Sequence, residues 1–151
     1  MITIEEFKKK YSYKVRLIGL DLGSKKIGVS ICDEKQLIAT PFKTINKTNI
    51  NDLINQLKDI IEENNIKGIV VGNPINMDGS LGKSAQSVKD ICANLSSKID
   101  LPLCLWDERL STVGAFNISS QLDVNVSKLE KNIDKNAATF ILQGALDYLN
   151  N

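Results

Sequence analysis

The order of the apolar segments predicts an α/β fold with a mixed five-stranded sheet and helices on both of its faces. Three short apolar stretches come first, and the connections between them are too short to hold a helix, so these strands should form an antiparallel meander. Two later stretches each follow an amphipathic segment, so the strands that they form should lie parallel to the first one. The chain has 151 residues, which is the length of a single domain.

The five predicted strands are short apolar runs bounded by turn residues. Gly23 and Ser24 stand between the first two strands, a spacing that fits a tight hairpin. Pro41 interrupts the third strand and has no N–H for a sheet ladder, so this strand should lie at an edge. The predicted strands span residues 15–22, 26–32, 36–45, 68–72 and 101–106.

Helices are predicted over residues 49–64, 84–97 and 134–149, because apolar residues recur there with the period of a helix. A fourth helix is expected over residues 110–122. Residues 1–14 are interpreted as a polar N-terminal extension and residues 15–151 as the domain itself. The extension lacks the apolar stretch of a signal peptide, and no apolar run is long enough to cross a bilayer, so we expect a cytoplasmic protein without membrane contact.

The residue types that are missing restrict the chemistry. The chain contains no histidine, which excludes Ser-His-Asp and Cys-His catalysis and zinc sites built on histidine. Its three cysteines form no CxxC pair, so a disulfide scaffold or a zinc ribbon is not expected. The net charge is only +1, so any binding of nucleic acid must depend on a local basic patch or on metal ions.

Three carboxylates stand at the ends of predicted elements. Asp21 interrupts an apolar strand, where a lone carboxylate is costly to bury unless it is paired or binds a metal. Glu108 follows the last strand, and Asp134 begins the last helix. A site of oxygen ligands without histidine suits Mg²⁺ or Mn²⁺, and two such ions could bridge a scissile phosphate.

Each of these carboxylates also has an ordinary structural explanation. Asp21 would accept hydrogen bonds from turn amides, Glu108 would be a favourable charge at a helix start, and Asp134 would be an N-cap. Asp107 is adjacent to Glu108 and should point to the opposite side of an extended backbone, so one of the two is expected to face the site. Whether Asp107 also takes part is left open by the sequence.

Four segments of the chain resemble the motifs of one known family. On them, the sequence is similar to the YqgF family, also called RuvX, of RNase H-like nucleases related to Holliday-junction resolvases. They occur in the family order and spacing over nearly the whole chain. The segments are GLDLGSKKIGVSICD from Gly19, GNPINMDGS from Gly72, DERLST from Asp107 and DKNAATFILQGALDYL from Asp134.

The resemblance implies an RNase H-like fold in which Asp21, Glu108 and Asp134 are the catalytic metal ligands. It also implies a nuclease that acts on structured nucleic acid, with 5′-end processing of the 16S ribosomal RNA precursor as the expected function. Resolution of branched DNA is the alternative within the same chemistry. A resolvase acts as a symmetric dimer on a two-fold junction, and the sequence leaves monomer and homodimer open.

The chain departs from the family pattern outside these carboxylates. The family usually has Lys-Arg where this chain has Lys25 and Lys26, an alanine at the position of Ser30 and an apolar residue at the position of Asn73.

An alternative class is a nucleotide-binding protein of the actin or Hsp70 type, whose first phosphate loop is similar, but such proteins use two domains. A nucleic-acid-binding module that has lost catalysis is a further alternative.

Four basic residues stand shortly after Asp21, after the loop over residues 73–82 and after Glu108, and they are expected to contact phosphates around the acidic site. The alternative is that they are ordinary solvated surface residues without a role in binding. The four residues are Lys25, Lys26, Lys83 and Arg109.

Overall fold

A computed structural model describes residues 1–11, 14–75, 78–79, 82–110 and 126–151, without the side chains of residues 110 and 126–135. The helix predicted over residues 110–122 therefore lies outside the described residues, except for Leu110, which ends a 3-10 turn. In the described part of the chain, no helix is both long and apolar enough to cross a membrane. The cytoplasmic location stays a prediction.

The mixed five-stranded sheet is confirmed, and its strands lie in the order β3-β2-β1-β4-β5. The first three strands pair antiparallel, β4 lies parallel to β1, and β5 lies parallel to β4. The strand that contains Pro41 is an edge strand, as predicted. The strands are β1 (Leu17–Leu22), β2 (Lys26–Cys32), β3 (Ala39–Asn46), β4 (Gly68–Asn73) and β5 (Leu103–Asp107).

Four helices accompany the sheet in the described residues, and the two that follow β3 and β4 are confirmed to within one residue at each end. The last helix begins eight residues earlier than predicted, so the interpretation of Asp134 as an N-cap is wrong. Val126, Leu129 and Ile133 extend the apolar period of the helix back beyond Asp134. Aspartate is a common N-cap residue, but here it lies within the helix. The helices are α1 (Ile4–Lys10), α2 (Ile50–Glu63), α3 (Lys83–Lys98) and α4 (Val126–Leu149).

Each face of the sheet carries its own apolar cluster, because successive residues of a strand point to opposite faces. Leu20 and Val71 belong to the cluster covered by α2 and α3. Leu17 and Val70 belong to the cluster covered by α1 and α4. The prediction of helices on both faces is therefore confirmed.

Helix α4 lies very close to β1, because Gly19 has no side chain to hold it away. A Cβ built at Gly19 would lie 2.5 Å from Ser30 Oγ and 2.7 Å from Leu142 Cβ. Ser30 is fully buried, and its hydroxyl donates a hydrogen bond of 2.8 Å to the carbonyl of Ala138 in α4. The serine at this position therefore ties the helix to the sheet.

The direction of α4 follows from two of its contacts. The carbonyl of Ala138 lies over Gly19, in the middle of β1. Asn150, just beyond the other end of the helix, contacts Lys14, which precedes β1. Helix α4 therefore runs antiparallel to β1, and its earlier turns lie toward the end of the strand that carries Asp21.

The N-terminal residues pack against the same face of the sheet as α4. Ile2 forms a parallel bridge with Cys104 of the edge strand β5. Phe7 of α1 is fully buried, and a Cβ at Gly68 would lie only 2.4 Å from the Cζ atom of its ring. The division of the chain at residue 14 stays a prediction, but Phe7 belongs to the same apolar cluster as Leu17.

Replacing Gly19 by alanine should destabilise the fold, because the new methyl group overlaps Ser30 and Leu142. Overpacking of this kind costs about 1–3 kcal/mol, which urea unfolding followed by circular dichroism will measure. The double variant Gly19→Ala/Ser30→Ala removes the closer of the two contacts and should unfold at a higher urea concentration than Gly19→Ala. Equal midpoints for Gly19→Ala and the wild type would contradict the close packing of α4.

Candidate active site

Asp21 lies near the end of β1, on the face of the sheet that α4 covers. It has the same strand parity as Gly19, which contacts that helix. Asp21 is partly buried and pairs with Gly28 of the neighbouring strand β2. Asp21 therefore lies at the carboxyl end of the central strand of the sheet and not in an exposed turn.

Glu108 reaches the same place from β5, across a gap in the strand between them. Strand β4 lies between β1 and β5, and its residue on the α4 face at this level is Gly72. A Cβ at Gly72 would lie 3.1 Å from both the Cγ and Cδ atoms of Glu108 and 2.4 Å from Ile141 Cδ1. The missing side chain at Gly72 therefore leaves the space that the carboxyl group of Glu108 occupies.

The two carboxylates influence each other electrostatically. Burial, and after it the charges of Asp21 and Asp107, raises the pKa of Glu108 from its ordinary value of 4.5 to about 7. A carboxyl group that is partly removed from water and faces another carboxylate is costly to ionise. This arrangement is unfavourable for the protein alone and favourable for a bound cation.

Asp107 and Glu108 point to opposite faces of the sheet, as the sequence predicts for adjacent residues at a strand end. Asp107 has the parity of Leu103, which lies in the cluster under α2 and α3. Its carboxylate accepts hydrogen bonds from the Arg109 guanidinium, with Oδ2 at 2.7 Å from Nη2. These bonds, opposed by burial, lower the pKa of Asp107.

Asp134 lies within α4, and its side chain lies outside the described part. It precedes Ala138 by four residues, so both positions share one face of the helix. Because α4 runs antiparallel to β1, that turn lies toward the strand end that carries Asp21. Among the described side chains, no group of three candidate metal ligands comes together.

Three of the four predicted phosphate contacts are exposed lysines at this end of the sheet. Lys25 lies in the turn between β1 and β2, and Lys26 begins β2, four and five residues after Asp21. Lys83 is the first residue of α3, which follows the carboxyl end of β4. Arg109 differs from them, because its guanidinium is already paired with Asp107.

Sequence reasoning missed the role of Gly72 as the gap between two strands. The sequence shows a glycine at the end of a buried strand, but it does not show that Glu108, which follows β5, lies beside that glycine. The sequence also placed Asn73 in a loop, whereas it ends β4 and pairs in register with Asp107. Asn73 is 9% exposed, and its Oδ1 atom has no hydrogen-bond partner among the described residues.

Comparison with known proteins gives a consistent relationship. A model of the RuvX family, described as Holliday junction resolvase, matches residues 15–148. A protein of Pelagibacter ubique (strain HTCC1062), named "Putative pre-16S rRNA nuclease", is 75% identical over 151 residues, which is 100% of both chains. A protein of Chelativorans sp. (strain BNC1) with the same name is 44% identical over 149 residues, covering 99% of this chain and 93% of its own.

Among solved structures, T. thermophilus RuvC in complex with a Holliday junction substrate matches this fold with a TM-score of 0.52 and 10% sequence identity. The match covers 89% of this chain and 94% of that one, and it shows the fold. The strand order, the helices on both faces and the family relationship define an RNase H-like nuclease, a class of enzyme that hydrolyses phosphodiester bonds. The chain belongs to the RuvX family.

Replacing Glu108 by glutamine should stabilise the metal-free protein at pH 8. The folded-state pKa of Glu108 is raised to about 7, so its favourable contribution is complete below about pH 4.5 and is lost as the pH rises through 7. Glutamine removes the charge and should raise the melting temperature at pH 8 by about 2–4 °C, the shift for about 1 kcal/mol in a domain of this size. Thermal unfolding in EDTA will measure it.

The same measurement at pH 5 should show a smaller difference, because Glu108 is then largely protonated in the folded protein. Glu34→Gln is the matched control, since Glu34 is exposed in the turn between β2 and β3. A Glu108→Gln variant whose melting temperature at pH 8 does not exceed that of the wild type would show that Glu108 is not under electrostatic strain.

Proposed function

We propose that this protein is a divalent-metal-dependent nuclease that processes the 16S ribosomal RNA precursor at its 5′ end. Asp21, Glu108 and Asp134 would be its catalytic metal ligands. The observation that carries the proposal is the approach of Glu108 to Asp21 across Gly72. One carboxylate from β1 and one from the turn after β5 lie on one face of the sheet, at the carboxyl ends of its parallel strands, where open α/β sheets bind ligands.

The residues of this edge suit a hard divalent cation. Carboxylate oxygens are the ligands that Mg²⁺ and Mn²⁺ prefer. The pKa of Glu108 is raised first by burial and then by the charges of Asp21 and Asp107, which supports a site where a cation would be favourable. A cation at this place would relieve the repulsion between Glu108 and Asp21. The backbone position of Asp134 on the sheet-facing side of α4 supports it as the third ligand.

The part played by the chain's own residues follows from this geometry. Asp21 lies on β1, and Glu108 begins the 3-10 turn directly after β5. They would hold the metal ions, which we propose to be two, at a constant position relative to the sheet. Bound ions of this kind activate water and stabilise the leaving oxygen of a phosphodiester. Ile141 packs against Gly72 on the α4 side, next to the space that Glu108 occupies. The lysines beside the site would orient the phosphates of the substrate.

Two observations bear on the substrate. The relatives that match over nearly the whole chain are named for the 16S ribosomal RNA precursor, which favours RNA processing. The family description and the junction-bound RuvC structure favour branched DNA as the second candidate. Carboxylates and metal ions contact phosphates, which RNA and DNA share, so the active site alone does not choose between them.

Cleavage should require Mg²⁺ or Mn²⁺ and should stop in excess EDTA. Purified protein should cut a 16S precursor RNA near its 5′ end, and it should cut a four-way DNA junction more slowly. Asp21→Asn, Glu108→Gln and Asp134→Asn should each lower the rate by more than about 100-fold, because a direct ligand matters at least as much as its supporting residues. Gel analysis of end-labelled substrates will measure these rates.

Asp33→Asn is the control for these variants, because Asp33 accepts turn hydrogen bonds at the β2–β3 connection, which lies at the opposite end of β1 from Asp21. Cleavage that persists undiminished in EDTA would contradict the metal mechanism. A junction cut faster than the precursor RNA would instead assign the enzyme to the second candidate. An Asp134→Asn protein with normal turnover would remove Asp134 from the ligand set.

Substrate binding should weaken only moderately with salt, because a chain of net charge +1 makes few phosphate contacts. The plot of log affinity against log salt concentration should have a slope of about −2 to −4. Lys25→Glu/Lys26→Glu should weaken binding and flatten that slope by about 1–2. The exposed pair Lys9 and Lys10 of α1 gives a matched control by the same charge reversal. Unchanged affinity and slope for the Lys25/Lys26 variant would exclude these lysines as contacts.

A further inference from the structure

Asp107 and Arg109 form a closed clamp on the two sides of Glu108. The Oδ1 atom of Asp107 accepts from the backbone N–H of Arg109 at 3.0 Å. Both carboxylate oxygens also accept from the Arg109 side chain, with Nε at 3.0 Å from each and Nη2 at 2.7 Å from Oδ2. The residue between the two ends of the clamp is Glu108, so its backbone is held from both sides.

The clamp lies at the point where the chain leaves the sheet. Asp107 is the last residue of β5 and pairs in register with Asn73 of β4. Residues 108–110 form a 3-10 turn, so Glu108 takes its direction from that turn and from the strand before it. Because Asp107 points to the α3 side, Glu108 points to the α4 side, against Gly72.

Glu108 needs such restraint because its carboxyl group is held in a confined space rather than in open solvent. It is partly buried, and its Cγ and Cδ atoms lie beside Gly72, on the same face of the sheet as Asp21. A glutamate on an unrestrained turn would move toward water, where its charge is solvated. Paired hydrogen bonds between a guanidinium and a carboxylate fix relative orientation as well as adding energy, which is the property needed here.

We propose that Asp107 is a positioning residue of the nuclease, which holds Glu108 beside Asp21 by clamping Arg109. The proposal rests on the proposed function, because it takes Glu108 to be a metal ligand. Asp107 is a poor candidate for a ligand itself, since both of its oxygens already accept hydrogen bonds from Arg109. The same pairing fixes the guanidinium, whose Nη1 atom faces the loop at Gly79.

The two roles of Asp107 predict opposite effects for a change at Arg109. If Asp107 positions Glu108 through the clamp, Arg109→Gln opens the clamp and should weaken metal binding as Asp107→Ala does. If Asp107 is instead a ligand, Arg109→Gln frees its carboxylate and should leave metal binding unchanged or strengthen it. The double variant adds a further test, because two halves of one clamp should not act additively.

The experiment is titration of the folded, substrate-free protein with Mn²⁺ by isothermal calorimetry. Asp107→Ala and Arg109→Gln should each raise the Kd for Mn²⁺ by about 10-fold or more, the usual effect of removing a residue that supports a ligand. The double variant should bind no more weakly than either single variant. Asp107→Asn keeps an acceptor for the Arg109 backbone N–H and should retain part of the affinity.

Asp33→Ala is the matched control, because it removes a carboxylate that caps a turn elsewhere and should leave the Kd unchanged. Wild-type affinity in both Asp107→Ala and Arg109→Gln would overturn the proposal, as would weak binding in Asp107→Ala with normal binding in Arg109→Gln. Glu108→Gln separates the two levels. If it too binds Mn²⁺ normally, the metal site itself is wrong, whereas a loss confined to Glu108→Gln rejects the clamp alone.

Discussion

Helix α4 lies directly on the centre of the sheet because Gly19 and Gly72 have no side chains there, and the rest of the site depends on that contact. At Gly19, Leu142 of the helix occupies part of the space that a side-chain methyl group would need. The same approach lets the Ser30 hydroxyl donate a hydrogen bond to the backbone carbonyl of Ala138 in the helix. At Gly72 it brings Ile141 against β4 and leaves one remaining space, which Glu108 fills. A larger residue at either position would separate the helix from the strands that carry the carboxylates.

The site combines a well-packed support with an electrostatically strained centre. The strands below it are fully buried at Leu20, Val70 and Val71, so the positions of Asp21 and Glu108 are fixed by packing. The carboxylates themselves are brought closer to each other, and Glu108 further from water, than their charges favour in the free protein. Functional sites commonly contain interactions that would destabilise the rest of the fold. Here that interaction is the repulsion between the carboxylates of Asp21 and Glu108.

The low net charge of the chain limits how it can attract nucleic acid. A protein with a net charge of +1 attracts a polyanion weakly over long distances, so recognition must come from contacts around the site. The lysines after β1 and at the start of α3 are exposed at the end of the sheet that carries Asp21, and we propose them as contacts for the substrate phosphates. Since phosphates are common to RNA and DNA, the preference for one substrate must reside in surfaces that surround the carboxylates.

The sequence by itself determined the class of fold and the chemical type of the site. Apolar patterns located all five strands and the helices after β3 and β4, and the lack of histidine excluded catalysis and zinc sites that depend on it. Only the tertiary structure decided which residues meet: Glu108 lies in the gap at Gly72, and Asp134 lies inside α4 rather than at its start. Periodicity and capping are local properties of neighbouring residues, whereas the contact at Gly72 joins positions 36 residues apart, whose meeting depends on how whole elements pack.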